Sequence, residues 1–186
     1  MGTRGAMGVT IGGVDKIQYV QFDSYPGGWV DDMVETLRKE LPAIRDKAQS
    51  LRLVDKDHTA SAEEIKTLRK YLDLGVSNQK EDDMYCLLRE TQGDLRAALK
   101  AGTMVDMRAW LANSLFCEYA YIANFDSGKF EVYEGFQSKP HQRGRFADLP
   151  RNEEREYWPV ALVAEYPLDA IPEDWADKAF PPDEDE

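Results

Sequence analysis

The stretch Phe116 to Phe136, FCEYAYIANFDSGKFEVYEGF, decides the fold. Apolar and polar residues alternate on both sides of Asp126-Ser127-Gly128. Successive side chains of a strand point to opposite faces. Cys117, Tyr119, Tyr121, Ala123 and Phe125 therefore share one face, and Phe130, Val132 and Phe136 share one on the return. Asp-Ser-Gly predicts a three-residue hairpin turn with Gly128 at the left-handed position.

A second hairpin lies near the N-terminus. In residues 3–22, TRGAMGVTIGGVDKIQYVQF, the residues Gly5, Met7, Val9 and Ile11 share a face, and Ile17, Tyr19 and Gln21 follow on the return. Gly12 and Gly13 supply the turn, since both tolerate positive φ. Gly5 and Gly8 thin the first strand. A bulge is the expected reason, with close approach by another backbone or a ligand as the alternative.

Helices fill the space between the hairpins. Val30, Met33, Val34, Leu37, Leu41, Ile44, Ala48 and Leu51 form one apolar stripe, with Pro42 expected to kink or divide it. Ser61 and Glu64 form a capping box ahead of Ile65, Leu68 and Leu72, and Gly75 is expected to end that helix. Residues 81–102 predict another helix, broken near Gly93. Asp106 is placed to cap a last one, with Trp110, Leu111 and Leu115 facing inward. After a polar loop at 137–156, residues 157–168 read as a fifth strand with Pro159 near its start, and residues 170–180 as one short helical turn. Strands segregated from helices predict an α+β fold: a single domain over residues 1–180, with a mainly antiparallel sheet of about five strands packed by a helical layer. Residues 181–186, PPDEDE, read as a disordered acidic tail.

The formal net charge is −12 over 186 residues. Residues 151–186 carry twelve acidic and three basic side chains, so the rest of the chain holds only −3. Binding to duplex nucleic acid is disfavoured, because that affinity comes largely from phosphate neutralisation. No apolar run is long enough to span a membrane, and the N-terminus shows no secretory pattern. Gly2 lacks the Ser or Thr at position 6 that a myristoylation motif needs. Cys86 and Cys117 sit in apolar contexts, as buried free thiols of a cytoplasmic protein would.

Known motifs fail one by one. There is no phosphate-binding GxxxxGK, no GxGxxG, no CxxC and no HExxH, and neither a cofactor nor a metal is implied. His58 and His141 lie far apart in polar loops. Residues 55–66 approach a calcium-loop pattern, but Ala60 and Lys66 occupy the positions that require Gly and Glu. Thr3 would need a free α-amine to act as an N-terminal nucleophile. The loops hold the candidates. Arg4, Arg143 and Arg145 lie beside glycines, where a guanidinium can reach a phosphate or carboxylate bidentately. In residues 22–29, FDSYPGGW, the side chains of Asp23, Ser24 and Tyr25 end a strand, and Gly27 and Gly28 open a helix whose N–H groups could receive an anion. The competing reading of that loop is a Pro-Gly turn.

The segments MGTRGAMG, FDSYPGG, YLDLGVS, MYCLLRETQGDL, SLFCEYAYIANFDSGKFEVYEGF and GRFA together are similar to a family of uncharacterised proteins of bacteriophage and bacterial genomes. The resemblance covers about residues 1–175. It implies a phage or prophage origin and a host-cytoplasmic location, and no mechanism. Three functions are therefore expected in this order: a non-enzymatic phage accessory protein that binds a host factor, such as a defence component; a binder of a small nucleotide-like or anionic ligand; and a hydrolase or transferase using Asp23, Ser24 or Cys86.

Overall fold

The computed structural model describes residues 2–151 and 156–182, so the expected tail lies, from residue 183 on, outside the described residues. Strands β1 (Gly5–Ile11) and β2 (Val14–Val20) form the N-terminal hairpin. Helix α1 (Val30–Ser50) follows, then β3 (Arg52–Val54), α2 (Ala62–Leu68), the single turn α3 (Met84–Leu87), α4 (Leu95–Ala101) and β4 (Thr103–Val105). A 3-10 turn at Arg108–Ala112 leads to β5 (Tyr119–Asn124), β6 (Lys129–Glu134), β7 (Ala161–Pro167) and α5 (Trp175–Ala179). The main sheet runs β2-β1-β5-β6-β7, which is the five-stranded α+β architecture expected. Within this sheet, among the described residues, only β1 and β5 pair in parallel. They can do so because almost a hundred residues of mostly helical chain separate β2 from β5, and a parallel partner needs such a crossover.

β1 is buried along all seven residues. Its glycines answer to close approach rather than to a bulge. A Cβ on Gly5 would lie 2.4 Å from the Tyr119 carbonyl oxygen, and one on Gly8 would lie 2.7 Å from the Lys16 carbonyl oxygen. The irregularity instead falls between β6 and β7, where the register shifts at Val132 and Tyr133. Gly12 and Gly13 turn the hairpin at φ +61° and +74°. Their N–H groups donate to the two carboxylate oxygens of Asp126 at 2.8 and 2.7 Å, so the two hairpin turns are clipped together.

The two faces of the sheet are covered differently. On one, Met7, Val9, Tyr121 and Phe130 pack against Met33 and Leu37 of α1, Leu95 of α4 and Trp175 of α5. On the other, Ala6, Ile17, Ile122 and Tyr133 are covered by Leu111, Phe146 and Val160 from irregular chain. A third cluster joins Val54, Leu68, Met84 and Leu87 beside the parallel β3–β4 pair.

Several local expectations shift. The helix opened by the Ser61 capping box ends at Leu68 and tightens into a 3-10 turn at Arg69–Tyr71, well short of Gly75. The chain there is drawn off its axis by the Asp73 N–H, which donates to the Cys86 carbonyl. The last predicted helix is only the 3-10 turn, in which Asp106 Oδ1 accepts from Arg108 N and Leu115 is excluded. The β5–β6 loop has four residues, Phe125 to Gly128, with Gly128 at φ +70°. Phe136 leaves the sheet face, 53% exposed at φ +55°, because its N–H donates to the Ser114 carbonyl. Cys117 precedes β5 and packs on the opposite face from Tyr121. Pro42 does distort α1, and the backbone leaves helical geometry at Glu40.

One buried cation fixes α1 to the sheet. Lys16 of β2 is 7% exposed, and its Nζ donates to the carbonyls of Ala48 and Leu51 at 2.7 Å and of Gln49 at 3.2 Å. These are the carbonyls a helix C-terminus leaves unpaired, at the negative end of its dipole. Burial lowers the Lys16 pKa, and the charge is held by its three acceptors. Lys16→Met should cost about 2–4 kcal/mol of stability in denaturant unfolding, because buried acceptors lose a charged donor; a loss below about 0.5 kcal/mol would contradict this role.

Candidate functional site

The loop at residues 22–28 begins with a residue of left-handed backbone, Asp23 at φ +54°. Its next residue, Ser24, is wholly buried. Ser24 N donates to the Thr3 carbonyl at 3.1 Å, its Oγ accepts from Trp29 Nε1 at 3.1 Å, and its carbonyl accepts from the Tyr121 hydroxyl at 3.0 Å. Tyr25-Pro26-Gly27-Gly28 is a type II turn: Gly28 N donates to the Tyr25 carbonyl at 3.0 Å, and Gly27 sits at φ +90°. Gly28 lies so close to Asp23 that a Cβ would stand 1.9 Å from the Asp23 carbonyl oxygen. Two of the backbone donors at the start of α1 are occupied within the loop. Trp29 N donates to the Asp23 carbonyl and Asp31 N to the Gly28 carbonyl.

The three arginines do not converge. Arg145 lies at the hairpin-turn end of β1. It donates to Asp15 Oδ1 at 2.5 Å, to both Glu131 oxygens at 3.0 and 3.1 Å and to Thr10 Oγ1 at 2.7 Å. Its guanidinium also covers the buried Phe146 ring at 4.2 Å. Arg143 donates to Gln137 Oε1 at 2.6 Å in the same irregular segment. Arg4 precedes the other end of β1, about 20 Å away at the rise of an extended strand. It lies 4.6 Å over the Phe116 ring. Arg4, Asp23, Ser24, Tyr25, Gly27 and Gly28 thus form one neighbourhood, and Arg143 and Arg145 another, where Arg145 pins its own segment onto the sheet.

The first neighbourhood opens onto a groove along β2. One cavity, about 450 Å³, is lined by Gln18, Tyr19, Gln21, Tyr85, Met107 and Trp110 among others. A second, about 370 Å³, is lined by Phe22, Asp23, Tyr25, Trp29 and Arg89. Gln92 belongs to both. The rings form a run: Trp110 meets Tyr19 edge-on at 5.0 Å, and Tyr19 meets Tyr85 at 6.1 Å. The Arg89 guanidinium then lies 6.0 Å from the Tyr85 ring centre and 5.4 Å from that of Phe22. The Tyr19 and Tyr85 hydroxyls both donate to Gln21 Oε1. Burial, with Tyr85 adding to it, pushes the Tyr19 hydroxyl up to about 12, although Arg4 and Arg89 pull it the other way.

Two donors on these walls are buried without an acceptor among the described residues, Trp110 Nε1 and Arg89 Nε. Arg89 Nη1 donates to Gln92 Oε1 at 2.7 Å. No carboxylate among the described residues lies within ion-pair distance of Arg89, whereas Arg38, Arg52, Arg69, Arg96, Arg108 and Arg145 each have such a partner. Sequence reasoning missed Arg89 and Trp110 because both read as helix surface or core. The available signal was Tyr85 four residues before Arg89, the spacing at which a ring and a cation meet on one helical face.

The groups weighed for catalysis are held otherwise. Ser24 Oγ is buried against the Trp29 indole. Burial raises the Cys86 thiol, whose Sγ lies 3.4 Å from the Val76 carbonyl oxygen. Among the described residues, no group of three or more His, Cys, Asp or Glu could hold a metal ion, and no helix is long and apolar enough to cross a membrane. No family model matches the chain, and comparison with curated proteins and with solved structures finds no match.

Burial alone would push the Asp15 carboxyl up, but hydrogen bonds from Arg108, Arg145 and Thr10 hold it below its usual value. A depressed carboxyl contributes stability above its unfolded pKa and loses it as pH falls through the folded one. Arg145→Ala should therefore cost about 3–5 kcal/mol at neutral pH, since the buried Glu131 carboxylate and Asp15 lose the cation they share. It should also flatten the loss of stability below pH 3.8, the ordinary Asp value. An unchanged acid limb in unfolding curves of the variant would contradict the pairing.

Proposed function

We propose that this chain works by binding, and that the groove along β2 takes a small ligand with a planar ring and a negative charge. The observation that supports this is Arg89: a half-buried cation between two aromatic rings, with no carboxylate partner among the described residues, in a chain of net charge −12. Aromatic walls hold flat rings, and a guanidinium recognises an anion with directed N–H groups. The first cavity has the size of an ordinary small-molecule site. Arg4, on the far side of Tyr19, adds a second positive charge.

The resemblance to phage and prophage proteins supplies the setting. In a host cytoplasm, nucleotides and their relatives are the abundant anions that carry a flat ring. Such a binder acts by sequestering its ligand. Capture of a host protein through the acidic C-terminal fifth is the reading that follows if the groove takes no small molecule.

A thermal-shift series with nucleoside monophosphates tests this. A ligand at about 100 times its Kd adds about 2.7 kcal/mol. In a chain of this size that raises Tm by roughly 5–10 °C. Arg89→Ala should abolish the shift while Arg143→Ala keeps it. A flat response of the native chain to every nucleotide would contradict the proposal.

A further inference from the structure

We infer that the groove is built for a dinucleotide, two bases joined through one phosphodiester, with Arg89 holding the link. This rests on the reading of the groove as an anion- and ring-binding site and adds the form of the ligand. The two cavities are neighbours rather than one deep hole, since they share Gln92 and differ in every other wall residue. Each has its own rings: Tyr19, Tyr85 and Trp110 line the larger, and Phe22, Tyr25 and Trp29 the smaller. Single nucleotides without a duplex are held by such rings, one flat base against each.

Arg89 stands between them. Its guanidinium carbon lies 6.0 Å from the Tyr85 ring centre in one cavity and 5.4 Å from the Phe22 ring centre in the other. Arg89 lines the smaller cavity and its guanidinium also faces a ring of the larger, so one cation stands where one phosphodiester would join two bases. Its neighbour Gln92 accepts from it through Oε1, and the Gln92 amide nitrogen has no hydrogen-bond acceptor among the described residues. Glutamine carries a donor and an acceptor side by side, the pattern that base edges answer.

Charge sets the upper limit on length. Asp23 and Asp32 stand in the smaller cavity and Asp83 in the larger, within a chain of net charge −12. A polymer bringing one phosphate per residue meets this field along its length. A dinucleotide brings a single charge, placed on Arg89; Lys56, the cation that lines the larger cavity, is paired with Asp57, and Arg89 has no carboxylate partner among the described residues.

Calorimetric titration of the full chain separates the possibilities. The probes are the four nucleoside 5′-monophosphates, the dinucleoside phosphates ApA, GpG, CpC and UpU, and a ten-residue single strand of each base. At least one dinucleoside phosphate should bind about tenfold or more tightly than its mononucleotide. Arg89→Gln should remove that advantage, and Arg143→Gln should leave it. Equal affinities for mononucleotide and dinucleoside phosphate overturn the inference while the groove stands as a nucleotide site. A ten-residue strand that binds about tenfold more tightly than any dinucleoside phosphate also overturns it. No binding by any probe overturns both the inference and the groove reading beneath it.

Discussion

The missing side chain of Gly5 is the constraint on which the rest depends. Because β1 carries no Cβ there, Ser24 can lie against the strand with its own Cβ 2.7 Å from where a Gly5 Cβ would stand. Seated in that space, Ser24 reaches three separate parts of the fold. Its N–H donates to the chain entering β1, its carbonyl accepts from Tyr121 of β5, and its hydroxyl accepts from Trp29 at the start of α1. One residue thus sets where the sheet ends, where the helical layer begins and how the mouth of the groove is shaped. A larger residue at position 5 would meet the Tyr119 backbone as well, so nothing flexible could yield to it.

Two charge arrangements then lock the layers in place. Lys16 of β2 holds the far end of α1 through three carbonyls, while Ser24 holds its start through the Trp29 indole. Arg145 does the corresponding work on the other face, which the described residues cover with no α-helix. Its contacts to Thr10, Asp15, Glu131 and Phe146 hold an irregular segment over the sheet in place of regular structure. This division leaves β2 as the edge strand, with Tyr85 of α3 and Trp110 of the 3-10 turn against Tyr19 and with Arg89 beside Tyr85. The groove is the seam between the sheet and these segments. An edge strand covered by rings in this way is kept from pairing with another strand.

The two hairpins were legible because they obey period two over six or seven residues and end in glycines that take positive φ. The stripe of α1, its distortion by Pro42 and the Ser61 capping box were legible for the same kind of reason: each is local chemistry. β3 and β4 were not, since three residues are too few to show a period and they pair only with each other across some fifty residues. Gly5 and Gly8 were noticed, but a single chain does not say whether a thinned strand is bulged or crowded. The candidate site divided along this line. The 22–28 turn and Arg4 share one end of β1, whereas Arg145, an arginine beside a glycine like Arg4, is engaged by Thr10, Asp15 and Glu131 at the other. Arg89 was hidden because its significance is the absence of a partner, a property of the assembled fold and of no local pattern.

The most direct test of this account is Gly5→Ala, followed by unfolding in denaturant and by exchange of the Trp29 indole proton. Overpacking against a backbone carbonyl should remove about 3 kcal/mol of stability. It should also unseat Ser24, so that the Trp29 Nε1–H loses its acceptor and exchanges rapidly with solvent. A variant that unfolds within about 0.5 kcal/mol of the native chain and keeps that proton protected would contradict the dependence of the loop, the helix and the groove on this one glycine.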